Sequence, residues 1–266
     1  LEANPGYREE FFPAAPENAD AATRAVAASM KGKRLPQIGR VEISVIEESS
    51  PQLLAFNSRA LDYANVPADL VGKVLDPGGR LDAYYADQRV TLARAVRPSL
   101  NYTYFNMEDP VVGGYAPGKV ALRRAITMGF NVPDLIRVWW QEQAIVATQP
   151  IPPNVAGHDP TLGVRAPYDV ATARSLLDRF GYRDRDGDGW RELPDGTPFT
   201  LSMGSTPTNR DRERDELWKR SMKDLGIRID FVKQKFPDLL RMGRAGQLQM
   251  WPVGWITTYG EGDAFM

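Results

Sequence analysis

The clearest periodic pattern of apolar positions lies in the middle of the chain, along residues 118–130. Apolar side chains recur there at intervals of three and four residues, which predicts a helix with one buried face. Asn131 follows as a predicted N-cap, with Pro133 and Asp134 in the first turn of a second helix. Because almost no loop separates the two helices, we expect tight packing between them. The apolar positions of the first helix are Val120, Leu122, Ala125, Ile126, Gly129 and Phe130.

Strand-like and helix-like patterns alternate through the C-terminal third of the chain. Asp169 is a predicted N-cap that opens this series. The predicted order is helix 170–180, strand 198–203, helix 209–225, strand 227–232, helix 236–243 and strand 248–255. Strands separated by single helices favour right-handed crossovers, so the sequence predicts an α/β fold with a largely parallel sheet.

The N-terminal third carries weaker patterns. Val41, Ile43 and Val45 alternate with polar residues along 37–46, which predicts a half-buried strand. Asp20 is the predicted cap of a helix that contains only small apolar residues. The other elements predicted here are helices 21–30, 51–63 and 67–75 and strand 102–106.

The predicted helix 209–225 has one apolar face and one charged face. A buried stripe is predicted for Leu217, Trp218, Ser221, Met222 and Leu225. On the opposite, solvated face we expect ion pairs between residues four apart, Asp215 with Lys219 and Glu216 with Arg220.

Composition narrows the possible functions. The 266 residues include 42% hydrophobic residues and carry a formal net charge of −1, so no global field favours nucleic acid or anionic membrane. The absence of cysteine excludes disulfides, thiolate nucleophiles and Cys-ligated zinc. No apolar run approaches the roughly 20 residues that cross a bilayer. We therefore expect a globular protein that does not bind nucleic acid.

Catalytic chemistry has one candidate, the single histidine. His158 lies beside Asp159 in a turn that follows a proline-rich stretch, and a His–Asp pair can orient a general base. No nucleophile motif, phosphate-binding loop or dinucleotide fingerprint accompanies it. We assign no catalytic residue and no cofactor, and keep a hydrolytic enzyme using His158 as an alternative.

A metal site has a sharper candidate. Asp184, Asp186 and Asp188 lie on alternate residues before Gly189, as in a calcium loop, and Asp195 takes the twelfth position. That position usually holds the longer, bidentate Glu, and the chain beyond it is predicted to form a strand instead of a helix. Asp-Gly repeats are also ordinary turn chemistry. We favour a structural turn with no metal, and keep a calcium-binding structural module as an alternative.

Tryptophans mark the candidate binding site. For Trp139 and Trp140 we expect packing in the core. Trp255, with Gly254, instead lies at the C-terminal end of a predicted strand and before a glycine-rich loop. Ligands of open α/β sheets bind beyond the carboxyl ends of strands, so Trp255 is the leading ligand contact.

An ordered series of short motifs resembles the family 5 extracellular solute-binding proteins, which are the dipeptide- and oligopeptide-binding components of bacterial ABC importers. The strand ending in Phe105-Asn106 and the two helices of 119–136 carry the clearest part. Further matching segments are residues 4–7, 151–153, 168–182, 186–189, 195–196, 225–227 and 254–255. The series extends over nearly the whole chain.

The resemblance implies a type II periplasmic binding protein fold, in which two lobes close over a ligand. We expect residues 1–104 to form part of the first lobe and residues 105–266 most of the second, so the chain is expected to be a fragment of that fold. The resemblance further implies a monomeric, non-enzymatic substrate-binding component in the periplasm. Its expected partners are a small-molecule or peptide ligand and the membrane permease of an ABC transporter.

The resemblance also suggests ligand contacts. Peptide-binding relatives place an Asp three residues after the Gly-Trp tryptophan, where it pairs with the peptide ammonium; this chain has Thr258 there. Dipeptide-binding relatives also use an Arg to hold the ligand carboxylate. The corresponding position in this chain is Ser205, and Arg210 lies close enough to substitute if the loop is shifted. The resulting candidate ligand-binding residues are Trp255, Thr258, Tyr259, Ser205 and Gly254.

Overall fold

The computed structural model describes residues 1–46 and 48–266. The chain divides into two compact units, Leu1–Ala64 and Asn65–Met266.

The first unit contains two helices, α1 (Ala21–Met30) and α2 (Ser49–Asn57). Asp20 caps α1 as predicted, since its carboxylate accepts a hydrogen bond from the Thr23 backbone N–H. The strand predicted over 37–46 is wrong: that segment makes only an isolated bridge between Glu2 and Arg40. Ile43 is 75% exposed and Val45 89% exposed, because no neighbouring strand among the described residues completes a ladder.

The second unit contains one four-stranded sheet and most of the helices. Its strands are β1 (Ser99–Phe105), β2 (Thr200–Ser205), β3 (Arg228–Lys233) and β4 (Met250–Ile256). Its helices are α3 (Val71–Val74), α4 (Ala83–Ala86), α5 (Pro117–Gly129), α6 (Val132–Asp134), α7 (Val170–Arg179), α8 (Asn209–Leu225) and α9 (Phe236–Arg244). Short 3-10 segments cover Ala68–Leu70 and Gly262–Phe265, and a π-helical turn covers Leu135–Trp139.

The strand order is β1-β4-β2-β3. β2 runs parallel to both β3 and β4, and β1 pairs antiparallel with β4 at one edge. The predicted α/β class and the parallel core of the sheet are therefore confirmed, with an antiparallel edge strand added. The predicted lobe boundary at residues 104 and 105 falls at the end of β1, whereas the compact units divide at Ala64. The division into lobes stays a prediction.

The buried face of α5 is the one that the sequence pattern predicts, and it packs against α7 and α8. Leu122, Ala125 and Ile126 are fully buried on one face of α5. A Cβ at Gly129 would lie 2.4 Å from Leu225 Cδ1, so the glycine lets α5 approach α8 closely. Directly after it, the Phe130 ring stacks on Trp218 with 3.9 Å between centroids. Asn131 caps α6 by accepting a hydrogen bond from the Asp134 N–H, as predicted.

Helix α8 buries the five residues of the predicted stripe, and it also buries Asp215, which is 2% exposed. The predicted ion pairs of this helix are wrong. Lys219 pairs with Glu216 at 2.8 Å, and Asp215 pairs with Lys233 of β3. Asp215 lies three residues before Trp218 and seven before Met222, so helical spacing places it beside the buried face, where Lys233 of β3 reaches it.

Candidate ligand site at the carboxyl ends of the strands

The strands of the parallel core end at different heights, which leaves part of β4 without a neighbour. β2 ends at Ser205, while β4 continues to Ile256 and stays paired with β1 as far as the Ser99–Ile256 pair. By the parallel register that joins Met203 to Met250, Ser205 is level with Pro252. The end of β4 beyond Pro252 therefore has one open edge.

Backbone hydrogen bonds show which groups face that edge. Thr257 N donates to Pro98 O at 3.1 Å, and Asn106 N donates to Gln249 O at 2.9 Å. Odd-numbered residues of β4 thus direct their backbone groups towards β1, and even-numbered ones direct them the other way. Gly254 and Ile256 present backbone N–H and C=O groups at the open edge, whereas Pro252 has no N–H to present.

Side chains around the end of β4 are accessible. Trp255 is 53% exposed and Tyr259 is 52% exposed. Thr258 and Gly254 are also exposed. Thr257, between them, is buried, and its hydroxyl accepts a hydrogen bond from Tyr259 N at 3.3 Å. The structure therefore places Trp255, Thr258, Tyr259 and Gly254 on one short accessible segment.

A proline-rich segment fastens the loop that carries Thr258 and Tyr259. Ala156 N donates to Gly260 O at 2.7 Å. A Cβ at Gly262 would lie 2.4 Å from Ala156 O, so only glycine permits this close approach. Ile151, which is buried, packs at the same place. The loop is thus fixed by contacts with a segment about a hundred residues earlier in the chain.

Ser205 differs from the other candidates because it is fully buried. Its hydroxyl donates to the Asp215 carboxylate at 2.9 Å and accepts from Lys233 Nζ at 3.1 Å. Lys233 also pairs directly with Asp215, and its side chain is 40% exposed. The Ser205 hydroxyl therefore hydrogen-bonds to both members of a partly buried ion pair, in which Asp215 is buried and Lys233 reaches solvent.

Arg210 lies in the first turn of α8, where the Thr208 side chain caps the helix. Its guanidinium lies over the Trp139 ring, 4.2 Å from the centroid, and Trp139 Nε1 donates to Arg210 O at 2.9 Å. Trp140 meets Trp139 edge-on. The two tryptophans are half-buried and hold an arginine, so core packing describes only part of their contacts.

Arg214 lies one turn further along α8. Its guanidinium pairs with Asp211 at 2.9 Å, and its Nε is buried without a hydrogen-bond partner among the described residues. Burial lowers the pKa of Arg214, while the charges of Asp211 and Asp215 act in the opposite direction. Arg214 and Lys233 are thus each paired with a carboxylate of α8, Asp211 and Asp215 respectively.

Asn101 is a polar neighbour of the site that sequence reasoning missed. It is paired with Gly254 across the β1–β4 ladder, and a Cβ at Gly254 would lie 2.9 Å from Asn101 Oδ1. The amide thus lies over the glycine at the open end of β4. Only the strand register brings the two together, so no local motif signals this contact.

The histidine alternative gains no support from the geometry. His158 Nδ1 lies 2.8 Å from the backbone oxygen of Ile151. The Asp159 carboxylate instead accepts hydrogen bonds from the Thr161 hydroxyl and N–H, which lower its pKa. No hydrogen bond thus joins His158 and Asp159, the pair on which the enzyme alternative depends.

The aspartate loop forms an acidic cluster. Asp184, Asp186 and Asp188 gather with Glu192, and their ligand-type oxygens lie within 4.8 Å of one another. Glu192, and not Asp195, is the fourth member. The oxygens also serve the turn itself: Asp184 accepts from the N–H groups of Gly187 and Gly189, and Asp188 pairs with Arg228.

The sequence model of the bacterial extracellular solute-binding proteins, family 5 (middle region), matches residues 1–266. The chain belongs to this family. The resemblance seen in the motifs is thereby confirmed.

A curated relative is the di/tripeptide-binding protein 2 of Pseudomonas aeruginosa (strain UCBPP-PA14). It is 30% identical over 147 residues, which cover 54% of this chain and 25% of the relative. The chain therefore matches about a quarter of that protein's length.

Solved structures with the same fold include NikA from Brucella suis in complex with Fe(III)-EDTA. Its TM-score is 0.65 at 17% identity, over 90% of this chain and 46% of that one. The periplasmic binding protein DppA from Helicobacter pylori, in complex with the peptide STSA, has a TM-score of 0.62 at 19% identity, over 83% and 37%. The predicted type II periplasmic binding protein fold is confirmed. Within the described residues, no helix combines the length and apolarity needed to cross a bilayer.

Proposed function

We propose that this chain is part of the substrate-binding component of a bacterial ABC importer, acting in the periplasm. It captures a small solute and presents it to the permease, without covalent chemistry. Membership of the solute-binding family supports the proposal, as does the curated relative described as a di/tripeptide-binding protein. The protein acts as a monomer, and nucleic acid is not among its partners.

The observation that carries the proposal is the open end of β4. Backbone groups of Gly254 and Ile256 line an unpaired strand edge, beside the exposed Trp255 ring. An extended ligand can hydrogen-bond to such an edge, while the tryptophan supplies a large apolar surface for stacking. Thr258 and Tyr259 add polar contacts from the adjoining loop.

The charges around this segment narrow the solute class. Thr258 offers a hydroxyl where peptide-binding relatives offer a carboxylate, so it supplies no counter-charge to a peptide ammonium. A buried charge without its partner costs about 3–5 kcal/mol. Arg210 adds a positive charge at the start of α8, whereas the charge of Lys233 is matched by Asp215. The solute is therefore a molecule, peptide-like or other, that does not depend on a free ammonium group at Thr258.

Native mass spectrometry of the protein purified from its own periplasm tests this function. We expect a co-purifying small solute, and we expect Trp255→Ala to lower the affinity for it by at least tenfold. Tyr115→Ala is the control, because Tyr115 is 84% exposed and lies in the loop before α5. Equal loss in both variants, or a bound peptide whose free ammonium contacts Thr258, would contradict the proposal.

The enzyme alternative has its own measurement. The wild type and His158→Ala should both show no turnover of candidate substrates, because we expect no enzymatic activity. Turnover that disappears in His158→Ala would replace the binding function by a hydrolytic one.

A further inference from the structure

Two adjoining cavities lie near the amino ends of β2 and β3, whereas Trp255 lies near the carboxyl end of β4. The larger has a volume of about 480 Å³ and the smaller about 310 Å³, and Lys223 lines both. The charged residues of the larger cavity are Arg174, Arg183, Arg191, Lys223, Asp178 and Asp184. Lys219, Arg228 and Asp230 add charge in the smaller one. Six cations and three carboxylates line the two cavities; Asp184 also belongs to the acidic cluster of the aspartate loop, and Arg228 pairs with Asp188 of that cluster.

Two of the guanidinium groups are fixed by the end of α8. Arg174 Nε donates to Asp224 O at 2.5 Å, and Arg191 Nε donates to Leu225 O at 2.7 Å. These carbonyls belong to the last turn of the helix, which leaves them without helical partners. Anchoring through Nε leaves both terminal nitrogens of Arg174 free of hydrogen bonds among the described residues. A guanidinium held in this way loses little freedom when it binds an anion.

The two carboxylates of the larger cavity already have partners. Asp178 pairs with Arg191 at 2.5 Å. Both Asp184 oxygens accept backbone hydrogen bonds from the turn, at 2.8 and 2.9 Å. The C-terminal end of α8 contributes about half a negative charge. Four cations against two carboxylates and this helix end still leave an excess of positive charge.

We propose that the larger cavity binds a phosphate group. Planar guanidinium forks match the oxygens of phosphate, and a doubly charged oxyanion gains most from several converging cations. Lys223 contributes a mobile point charge from the last turn of α8, and it makes no ion pair within the described part of the chain. The phosphate site is separate from the proposed solute-binding residues around Trp255, because the two lie at opposite ends of the strands.

The competing explanation is that these side chains only cap α8. Capping accounts for the Nε bonds of Arg174 and Arg191, since cations near a helix C-terminus are favourable. It predicts no saturable binding of an anion. Lys223 distinguishes the two explanations, because its exposed ammonium is not needed for either anchoring bond.

Amide NMR of the protein during a titration with inorganic phosphate tests the site, with chloride at matched ionic strength as reference. We expect saturable shifts of the Gly189 and Gly226 amides, which line the cavity. Lys223→Gln should weaken phosphate binding at least fivefold without changing the melting temperature. Lys235→Gln, an exposed lysine at the start of α9, should leave the affinity unchanged. No saturable shift, or equal weakening in both variants, would overturn the proposal.

Vesicles distinguish a free phosphate from a lipid headgroup. Phosphatidylcholine vesicles containing phosphatidylglycerol are compared with phosphatidylcholine alone in a sedimentation assay. Phosphate-dependent shifts without sedimentation support the site with a soluble phosphate as its ligand. Sedimentation that needs phosphatidylglycerol and is lost in Lys223→Gln supports it with a lipid headgroup.

Discussion

The two compact units of the chain carry similar local sequence patterns but differ in packing. Leu1–Ala64 and Asn65–Met266 each contain a helix whose N-cap aspartate accepts the same kind of hydrogen bond, Asp20 from Thr23 and Asp169 from Thr172. Every buried residue among those described lies in the second unit. In the first unit, α1 buries none of its side chains.

The difference shows which signals act alone and which need a partner. A cap requires only residues three positions apart, so it forms in both units. An amphipathic strand requires a neighbouring strand and a facing layer. Residues 37–46 find neither among the described residues, whereas β1 and β4 find each other across about 150 residues of chain. Local pattern is therefore sufficient for a helix end and insufficient for a sheet.

Truncation of apolar side chains gives the largest contrast between the units. Leu122→Ala in the second unit should lower the free energy of unfolding by about 2–5 kcal/mol, because it empties a fully buried position of α5. Val45→Ala in the first unit should change it by no more than about 0.5 kcal/mol, because that side chain is already solvated. Urea unfolding of both variants measures the difference. A large effect of Val45→Ala would show that the two units do not differ in this way.

Adding a methyl group gives a smaller contrast. Gly129→Ala should destabilise the protein by about 1–3 kcal/mol, because the new Cβ meets Leu225 in a packed interface. Gly39→Ala in the first unit is the matched control, since no heavy atom lies within 4 Å of its added Cβ. Thermal unfolding of both variants compares them. Equal stability of the two would mean that α5 and α8 are free to move apart.

The paired caps sharpen the comparison further. Hydrogen bonds from Thr172 lower the pKa of Asp169, and those from Thr23 lower the pKa of Asp20. A carboxylate whose folded pKa is lowered stabilises the fold above its unfolded pKa of about 3.9 and loses that contribution as pH falls through the folded value. Asp169→Ala should therefore lower the melting temperature at pH 7 and have less effect near pH 3.

Asp20→Ala should lower the same melting temperature less, because α1 has no buried face that couples it to a core. Helicity of the first unit, measured by circular dichroism, should respond instead. An effect of Asp20→Ala as large as that of Asp169→Ala, at the same pH, would contradict the expectation that α1 stands apart from a packed core.

The aspartate loop should give the smallest effect. Its carboxylates already accept N–H groups of the turn or pair with Arg228. We therefore expect the melting temperature to change by less than about 1 °C on addition of calcium and then EDTA. A stabilisation of about 1 kcal/mol would shift it by more than that. A calcium-dependent rise reversed by EDTA would instead favour the calcium-binding module.

Much of the second unit could be predicted because its signals are local and mutually consistent. The helices near 118–130, 170–180 and 209–225 are found within one or two residues of the predicted positions. Their caps and apolar spacing agree with the packing that they adopt. The position of Trp255 at the end of a strand was also predictable, since a tryptophan before a glycine-rich loop is a local pattern; its role in ligand binding stays a prediction.

Ser205 and Asp215 show where prediction from the sequence stops. The motif alignment assigned Ser205 to a ligand, and the i, i+4 rule assigned Asp215 to Lys219. Their positions in the structure depend on Lys233, which is 28 residues after Ser205 and 18 after Asp215. No spacing rule connects residues so far apart in the chain.

The sequence by itself determined the ends of α5, α7 and α8, the buried face of α5 and the family of the protein, because each depends on residues close together in the chain or on an ordered series of motifs. Only the tertiary structure decided which strand edge stays open at Gly254, which acid of α8 is buried and which cations meet around Lys223. Those features depend on the relative lengths and register of β2, β3 and β4. Register is fixed by the packing of the whole sheet, since a shift of one residue would exchange its buried and exposed faces.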